Sequence, residues 1–268
     1  MIRLAIPVRP LGLALFCLLS ASALAQPAAG APSEATWAEI RSAAVGDRVL
    51  DESSGMLKLD APSRAEDAAL VPVEVAFKLP EGDPRRVTAL TLVIDENPAP
   101  VVGKFRFGEG RAAFALSTRV RVNSYSYLRA IAETSDGQLH MVKTYIKAAG
   151  GCSAPAGKDP AEALANLGQM RFRILAQRGE AQVQMRHPNY SGLQMDQVTR
   201  LYTPAWYVET LAVNQGGHPL FTMEGGISIS EDPTFRFAYA ANAEPITVEA
   251  KDTEGRVFRE TFPGSGGS

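Results

Sequence analysis

The sequence predicts an all-β protein built from two antiparallel β-sandwich domains. Three observations predict this class: apolar and polar residues alternate over many short segments, turn sequences separate those segments, and helical patterns are few and short. This arrangement favours antiparallel sandwiches over a parallel sheet with crossover helices. The chain has 268 residues, 46% of them apolar, a composition that excludes a disordered or collagen-like protein.

A secretory signal peptide is predicted at residues 1–25. Arg3 and Arg9 form its positive segment, an apolar run follows over residues 11–24, and small residues end the run in an A-x-A cleavage site. The alternative is an uncleaved membrane anchor, but the run is shorter than the roughly 18 residues that a spanning helix needs. The sequence therefore predicts a secreted protein.

The charge balance argues against a nucleic-acid or membrane-surface partner. The chain has 27 Lys and Arg against 29 Asp and Glu, and the predicted signal peptide contains two arginines and no acidic residue. The mature chain is therefore mildly acidic and contains no basic run. We expect neither nucleic acid nor membrane among its partners.

A short helix opens the first domain, which is predicted to extend over residues 34–149. Thr36 can cap this helix, with Glu39 completing a T-x-x-E capping box and Trp37 and Ile40 supplying apolar contacts. Strands follow, marked by alternating apolar residues at 71–79, 90–94, 114–122, 128–133 and 139–146.

Two details of these strands are informative. Arg119 and Arg121 fall on the face of their strand opposite Phe114 and its apolar neighbours, so both are expected on the polar face. The Asp136-Gly137 pair predicts a hairpin turn between the last two strands.

Residues 150–168 are predicted to form a linker, and residues 169–263 a second domain. Asp159 caps a short linker helix, Pro160 takes its first position and Gly168 ends it. Alternating apolar residues then mark strands up to residue 248, with turns at 214–217 and 252–255. Each domain is close to the roughly 100 residues of an immunoglobulin-like domain. We expect the two domains to pack on each other.

Cys152 is the cysteine expected to remain after cleavage, because Cys17 lies within the signal peptide. It has no partner for an internal disulfide. An unpaired cysteine in a secreted protein suggests intermolecular pairing or a reactive thiol.

The surroundings of Cys152 predict a loop. Gly150 and Gly151 precede it and Ser153 follows, in a segment rich in Gly and Pro without apolar periodicity. The two glycines form a thin and mobile stalk, and Lys147 and Lys158 favour the thiolate. We therefore predict an exposed, reactive thiol. The alternative is a buried structural cysteine.

Catalytic and metal-binding patterns are missing from the sequence. His140, His187 and His218 are far apart, and no CxxC, G-x-G-x-x-G or G-x-S-x-G motif is present. Met185 and His187 offer soft sulfur and imidazole for copper, but a core methionine and a turn histidine explain them better. We expect no enzyme activity, no metal and no cofactor.

The order of several short motifs resembles the SoxY and SoxZ sulfur-carrier families, fused in one chain. The SoxY-like motifs are 61–67 with 71–73, 95–100, 119–122, 132–137 and Gly150-Gly151-Cys152. The SoxZ-like motifs are His187-Pro188, Gly192-Leu193, 235–237 and 252–255. The arrangement is similar to fused SoxYZ-like carriers associated with quinoprotein dehydrogenases.

This resemblance implies a periplasmic protein that carries a sulfur-containing intermediate covalently. Cys152 would be the attachment residue, with Gly150, Gly151 and Ser153 as the carrier arm. The partners would be sulfur-oxidation enzymes or a quinoprotein dehydrogenase and cytochrome c system. In SoxY the arm is a free C-terminus, whereas here the chain continues into the second domain. A non-covalent accessory module for a periplasmic dehydrogenase is the alternative.

Overall fold

The computed structural model describes residues 33–157, 160–196 and 199–265. The predicted signal peptide, Lys158 and the predicted N-cap Asp159 lie outside the described residues. The helices are α1 (Ala35–Val45) and α2 (Pro160–Ala165), with a 3-10 turn at Ala176–Arg178. The strands of the first half are β1 (Leu50–Asp51), β2 (Leu57–Asp60), β3 (Val71–Lys78), β4 (Val87–Ile94), β5 (Val101–Arg111), β6 (Ala113–Val120), β7 (Ser126–Thr134) and β8 (Leu139–Ile146). Those of the second half are β9 (Met170–Leu175), β10 (Glu180–Met185), β11 (Val208–Gln215), β12 (His218–Gly225), β13 (Thr234–Ala238), β14 (Ile246–Asp252) and β15 (Val257–Phe262).

These strands form two sheets, which confirms the predicted all-β class. The larger sheet has nine strands in the order β1-β8-β7-β4-β5-β12-β11-β14-β15. The smaller sheet has six strands in the order β2-β3-β6-β13-β10-β9. The inner faces of both sheets enclose one apolar core that draws residues from the two halves.

Both sheets run through the two halves of the chain without interruption. In the larger sheet β5 pairs with β12, with Phe105 opposite Met223. In the smaller sheet β6 pairs with β13, with Leu116 opposite Phe237. Under this seam Phe105 packs edge-on against Phe235 at 5.8 Å between ring centroids. The two halves therefore share backbone hydrogen bonds as well as side-chain packing.

The period-two patterns predicted most strands correctly, because one face of each strand covers the core. In β3 the residues Val71, Val73, Val75 and Phe77 are buried and the residues between them are more exposed. The Asp136-Gly137 turn joins β7 to β8, as predicted, with Gly137 at φ +81°. The predicted turns after β11 and β14 also lie where expected.

Helix α1 forms where predicted but begins two residues earlier than its capping box requires. Glu34 takes the N-cap position without a side-chain cap bond. The Thr36 hydroxyl instead donates to the Glu96 carboxylate at 2.5 Å. Glu34 pairs with the buried Arg129, whose guanidinium also lies 4.3 Å from the Trp37 ring. The prediction that Thr36 caps the helix is wrong, because the Thr36 and Glu34 side chains are both engaged in long-range polar contacts.

Among the described residues, none of the helices is long and apolar enough to cross a bilayer.

Candidate functional site

The cysteine loop is anchored to the end of β6 by its own backbone. The Gly150 amide donates to the Asn123 carbonyl at 2.8 Å, and the Gly151 amide donates to the Val122 carbonyl at 3.0 Å. Gly150 has φ +78°, a left-handed conformation that residues other than glycine rarely adopt. The loop therefore leaves β8 and turns back along the chain that follows β6.

Gly151 is required by close approach rather than by conformational freedom. A Cβ atom at this position would lie 2.0 Å from the Ala68 carbonyl oxygen and 2.7 Å from the Val122 carbonyl oxygen. Both oxygens belong to the backbone and cannot rotate away. The Ala68 oxygen itself accepts the Val122 amide at 2.8 Å. Only glycine fits here, so the loop is docked and does not form a free stalk.

The Cys152 side chain is fully buried, and the prediction of an exposed thiol is wrong. Its exposed fraction is 0%. Burial raises the pKa of this thiol to about 11, while the positive charge of Arg121 acts in the opposite direction. The thiol is therefore protonated near neutral pH and has no access to solvent in this state. The loop sequence gave no sign of burial because its contacts come from residues far away in the chain.

Two side chains from the second half close over the loop. The Ser191 hydroxyl donates to the Cys152 carbonyl. The Gln194 side-chain amide donates to the Ala154 carbonyl at 3.1 Å, and its oxygen accepts the Ser191 amide at 3.1 Å. Ser191 and Gln194 are each only 3% exposed. We call this pair the clasp.

The segment that carries the clasp is fixed by buried polar contacts. Asn189 has a φ of +45°. Its side-chain oxygen accepts a hydrogen bond from the Val208 backbone amide at 3.1 Å, and its backbone amide donates to His187 Nδ1 at 3.1 Å. On its other side, His187 Nε2 faces the Asp252 carboxylate at 3.6 Å. Burial lowers the pKa of His187, with Asp252 acting in the opposite direction. His187 therefore acts as a neutral structural residue of this corner.

The other predicted arm residues differ in their placement. Ser153 is exposed, and its hydroxyl donates to the Gly150 carbonyl at 3.2 Å within the loop. Lys147, expected to favour the thiolate, is not among the charges that act on Cys152. Arg121, expected on a polar face, is 1% exposed, and its charge acts on Cys152. The burial of Arg121 and the contacts of the clasp are the features of the site that the sequence does not reveal.

Among the described residues, no cluster of three or more His, Cys, Asp or Glu side chains could hold a metal ion. Met185 is fully buried in the shared core, and His187 is occupied by its contacts with Asn189 and Asp252. Among the described residues the thiol is that of Cys152, on a short loop that connects the two halves of the chain.

The clasp predicts a measurable protection of the thiol. We expect the double variant Ser191→Ala, Gln194→Ala to react with a maleimide about tenfold faster than the parent at neutral pH, because two hydrogen bonds that hold the loop are lost. The measurement is the rate of mass gain at Cys152 under native conditions. Gln138→Ala, in an exposed turn, is the matched control. An unchanged rate in the double variant would show that the clasp does not hold the loop.

Family models match both halves of the chain. The model of sulfur oxidation protein SoxY matches residues 41–152, and that of sulphur oxidation protein SoxZ matches residues 175–263. The SoxY match ends at Cys152 itself. No curated protein matches the chain.

Two solved structures are each similar to part of the chain. The sulfur carrier protein SoxY from Chlorobium limicola f thiosulfatophilum is 25% identical, with a TM-score of 0.36, over 43% of this chain and 97% of that chain. A superoxide reductase (neelaredoxin) from Ignicoccus hospitalis is 17% identical, with a TM-score of 0.29, over 34% of this chain and 78% of that chain.

The two family matches show that the chain belongs to the SoxY and SoxZ families of sulfur oxidation, a class of sulfur carrier and accessory proteins. More closely, it holds a SoxY domain followed by a SoxZ domain in one polypeptide. The predicted resemblance to SoxY and SoxZ, fused in one chain, is confirmed.

Proposed function

We propose that this protein is a periplasmic carrier that holds a sulfur-containing intermediate covalently on Cys152. The observation that carries the proposal is the position of this thiol. It is the last residue of the SoxY match, and it follows Gly150-Gly151 as the cysteine of a carrier arm does. Cys17, the other cysteine of the sequence, lies within the predicted signal peptide. Both points support Cys152 as the attachment site.

Covalent loading of Cys152 requires the loop to leave its docked position. A thiol that is fully buried and protonated cannot attack a sulfur compound, since the thiolate is the nucleophile. Released from Val122 and from the clasp, Cys152 regains solvent and its ordinary acidity. We infer that loading takes place on the released loop and that the docked loop is the resting state.

The partners follow from the two domains. SoxY and SoxZ domains imply proteins of sulfur oxidation that load and unload the carrier. The fused order of the domains supports a finer proposal, in which the carrier serves a quinoprotein dehydrogenase and cytochrome c system. The SoxZ domain pairs with the SoxY domain inside the chain through the seam of both sheets.

A second candidate is a non-covalent accessory module for a periplasmic dehydrogenase. The burial of Cys152 favours it, because a module of this kind has no use for an accessible thiol. Cys152 would then fill a small space in the corner between Val122 and the clasp.

Mass spectrometry of the native protein separates the two candidates. The chain and its Cys152→Ser variant are isolated from the periplasmic fraction of the native host and weighed intact before and after reductant. We expect an adduct on the parent that reductant removes and that the variant lacks. Unmodified Cys152 under conditions of active sulfur oxidation would favour the accessory module. Recovery of the protein only from the cytoplasm would overturn the proposed location.

A further inference from the structure

Arg121 is a buried arginine without a carboxylate partner. It is 1% exposed, its Nη2 donates to the Asn189 carbonyl at 3.0 Å, and its Nε has no hydrogen-bond partner. No ion pair among the described residues involves it. Burial lowers the pKa of Arg121, while Glu231, Cys152 and Asp67 act in the opposite direction from beyond hydrogen-bond range. A buried cation normally has a paired anion, so this one is an exception that needs a reason.

Arg129 shows how the same chain treats a buried arginine that has a structural role. Arg129 is 0% exposed, and its Nε and Nη2 donate to the Asp95 carboxylate at 2.9 and 2.7 Å. Glu34 adds a second carboxylate to the same guanidinium. The lack of such a partner at Arg121 is therefore specific to its position.

Arg121 lies next to the residues that hold the cysteine loop. The Gly150 amide bonds to the Asn123 carbonyl and the Gly151 amide to the Val122 carbonyl, so the two segments run antiparallel. Cys152 and Arg121 are the next residues of these two segments, and both bond to the same stretch of the second half: the Cys152 carbonyl accepts the Ser191 hydroxyl, and Arg121 Nη2 donates to the Asn189 carbonyl at 3.0 Å. Arg121 is also the charged group that acts on the Cys152 thiol.

We propose that Arg121 is the binding residue for a negatively charged sulfur group on Cys152, which it holds when the loaded loop docks. This inference rests on the proposed carrier function and adds a residue to it. The bare thiol of the docked loop is neutral, so in the unloaded carrier no anion is hydrogen-bonded to Arg121 among the described residues. A loaded cysteine that ends in an ionised sulfur supplies a negative charge beside this guanidinium, and hydrogen bonds to charged groups are the stronger ones.

A persulfide is the probe, because it adds a single sulfur atom to a side chain that is fully buried. It forms from inorganic tetrasulfide without an oxidant. The Cys152 thiolate attacks a tetrasulfide sulfur, a new S–S bond forms, one tetrasulfide S–S bond breaks, and trisulfide dianion leaves with the electron pair. Cyanide reverses the loading: it takes the outer sulfur as thiocyanate and returns the Cys152 thiolate. The rate of cyanide cleavage therefore reports how well the loaded loop is protected.

The experiment compares the full chain with Arg121→Met and Arg121→Lys. All are loaded with tetrasulfide, verified by intact mass and treated with cyanide at neutral pH. We expect Arg121→Met to lose its persulfide about tenfold faster than the parent, and Arg121→Lys to fall between them because it keeps the charge. The melting temperature of Arg121→Met should stay equal or rise, since it removes an unpaired buried charge. Arg119→Met, two residues earlier in the chain and bonded to the Asp232 carbonyl and the Thr234 hydroxyl, is the control.

The outcomes distinguish a failure of the Arg121 role from a failure of the carrier function. Equal cyanide rates in the parent and Arg121→Met would overturn the role of Arg121 while the persulfide on Cys152 still supported a carrier. Faster loss in both Arg121 variants, together with an equal fall in their melting temperatures, would make Arg121 a structural residue and also overturn it. A parent that gains no more sulfur than Cys152→Ser would reject the carrier function itself.

Discussion

In the folded protein at pH 7, Cys152 is expected to react with a maleimide at least about 100-fold more slowly than in the denatured chain. The pKa of this thiol rises from 9.0 to about 11 on folding. At pH 7 this higher pKa makes the thiolate fraction about 100-fold smaller, and steric burial lowers the rate further. The measurement is the modification rate with and without denaturant, each followed by intact mass.

The raised pKa of Cys152 also predicts how stability depends on pH. Because the folded-state pKa lies above the unfolded one, the unfolded chain loses its thiol proton first as pH rises. The unfolding free energy should therefore fall from about pH 9 to about pH 11, by about 2 to 3 kcal/mol relative to Cys152→Ser. For the maleimide experiment, a native thiol that reacts as fast as the denatured one would contradict the docked state.

Gly151→Ala is expected to release the loop. The added Cβ would meet the backbone oxygens of Ala68 and Val122 at 2.0 and 2.7 Å, and neither can move without displacing β6 or the segment before β3. We expect native thiol reactivity to rise to within about threefold of the denatured rate, with a cost of about 1 to 3 kcal/mol in unfolding free energy. The rate of maleimide modification and a denaturant titration measure the two effects.

Ser153→Ala is the matched control for this variant. Ser153 lies two residues further along the same loop, is exposed and bonds to Gly150 within the loop. Its substitution should change neither the modification rate nor the stability noticeably. A Gly151→Ala protein with a thiol as slow as the parent would show that the loop tolerates a side chain at this position, despite the nearby backbone oxygens.

Much of the fold could be predicted from the sequence because it depends on local pattern. The alternation in β3 and the Asp136-Gly137 hairpin need only period two and turn chemistry. The alternation pattern does not predict β5 and β12, although their pairing joins the two halves of the larger sheet. Sequence pattern marks a strand but does not state which strand lies beside it.

The sequence identifies the residue of the candidate site but does not predict that this residue is buried. The cysteine count and the Gly-Gly pair before Cys152 identify this residue, and both are readable in one short segment. Its burial depends on Ala68, Val122 and Ser191, which are distant in sequence. Alternation predicts a solvated environment for Arg121 because it assumes that the second face of a strand is exposed. Beyond the end of β6, residues of the second half cover that face.

The seam between the halves has a consequence for how this carrier is made. If the chain were cut between β8 and β9, the first fragment would have unpaired strand edges at β5 and β6. The second fragment would have them at β12 and β13. Such edges recruit foreign strands and promote aggregation. Synthesis as one polypeptide supplies both fragments in equal number and at the same moment, so neither edge waits for a partner. The covalent connection thus fixes a one-to-one ratio of the two halves from the time of synthesis.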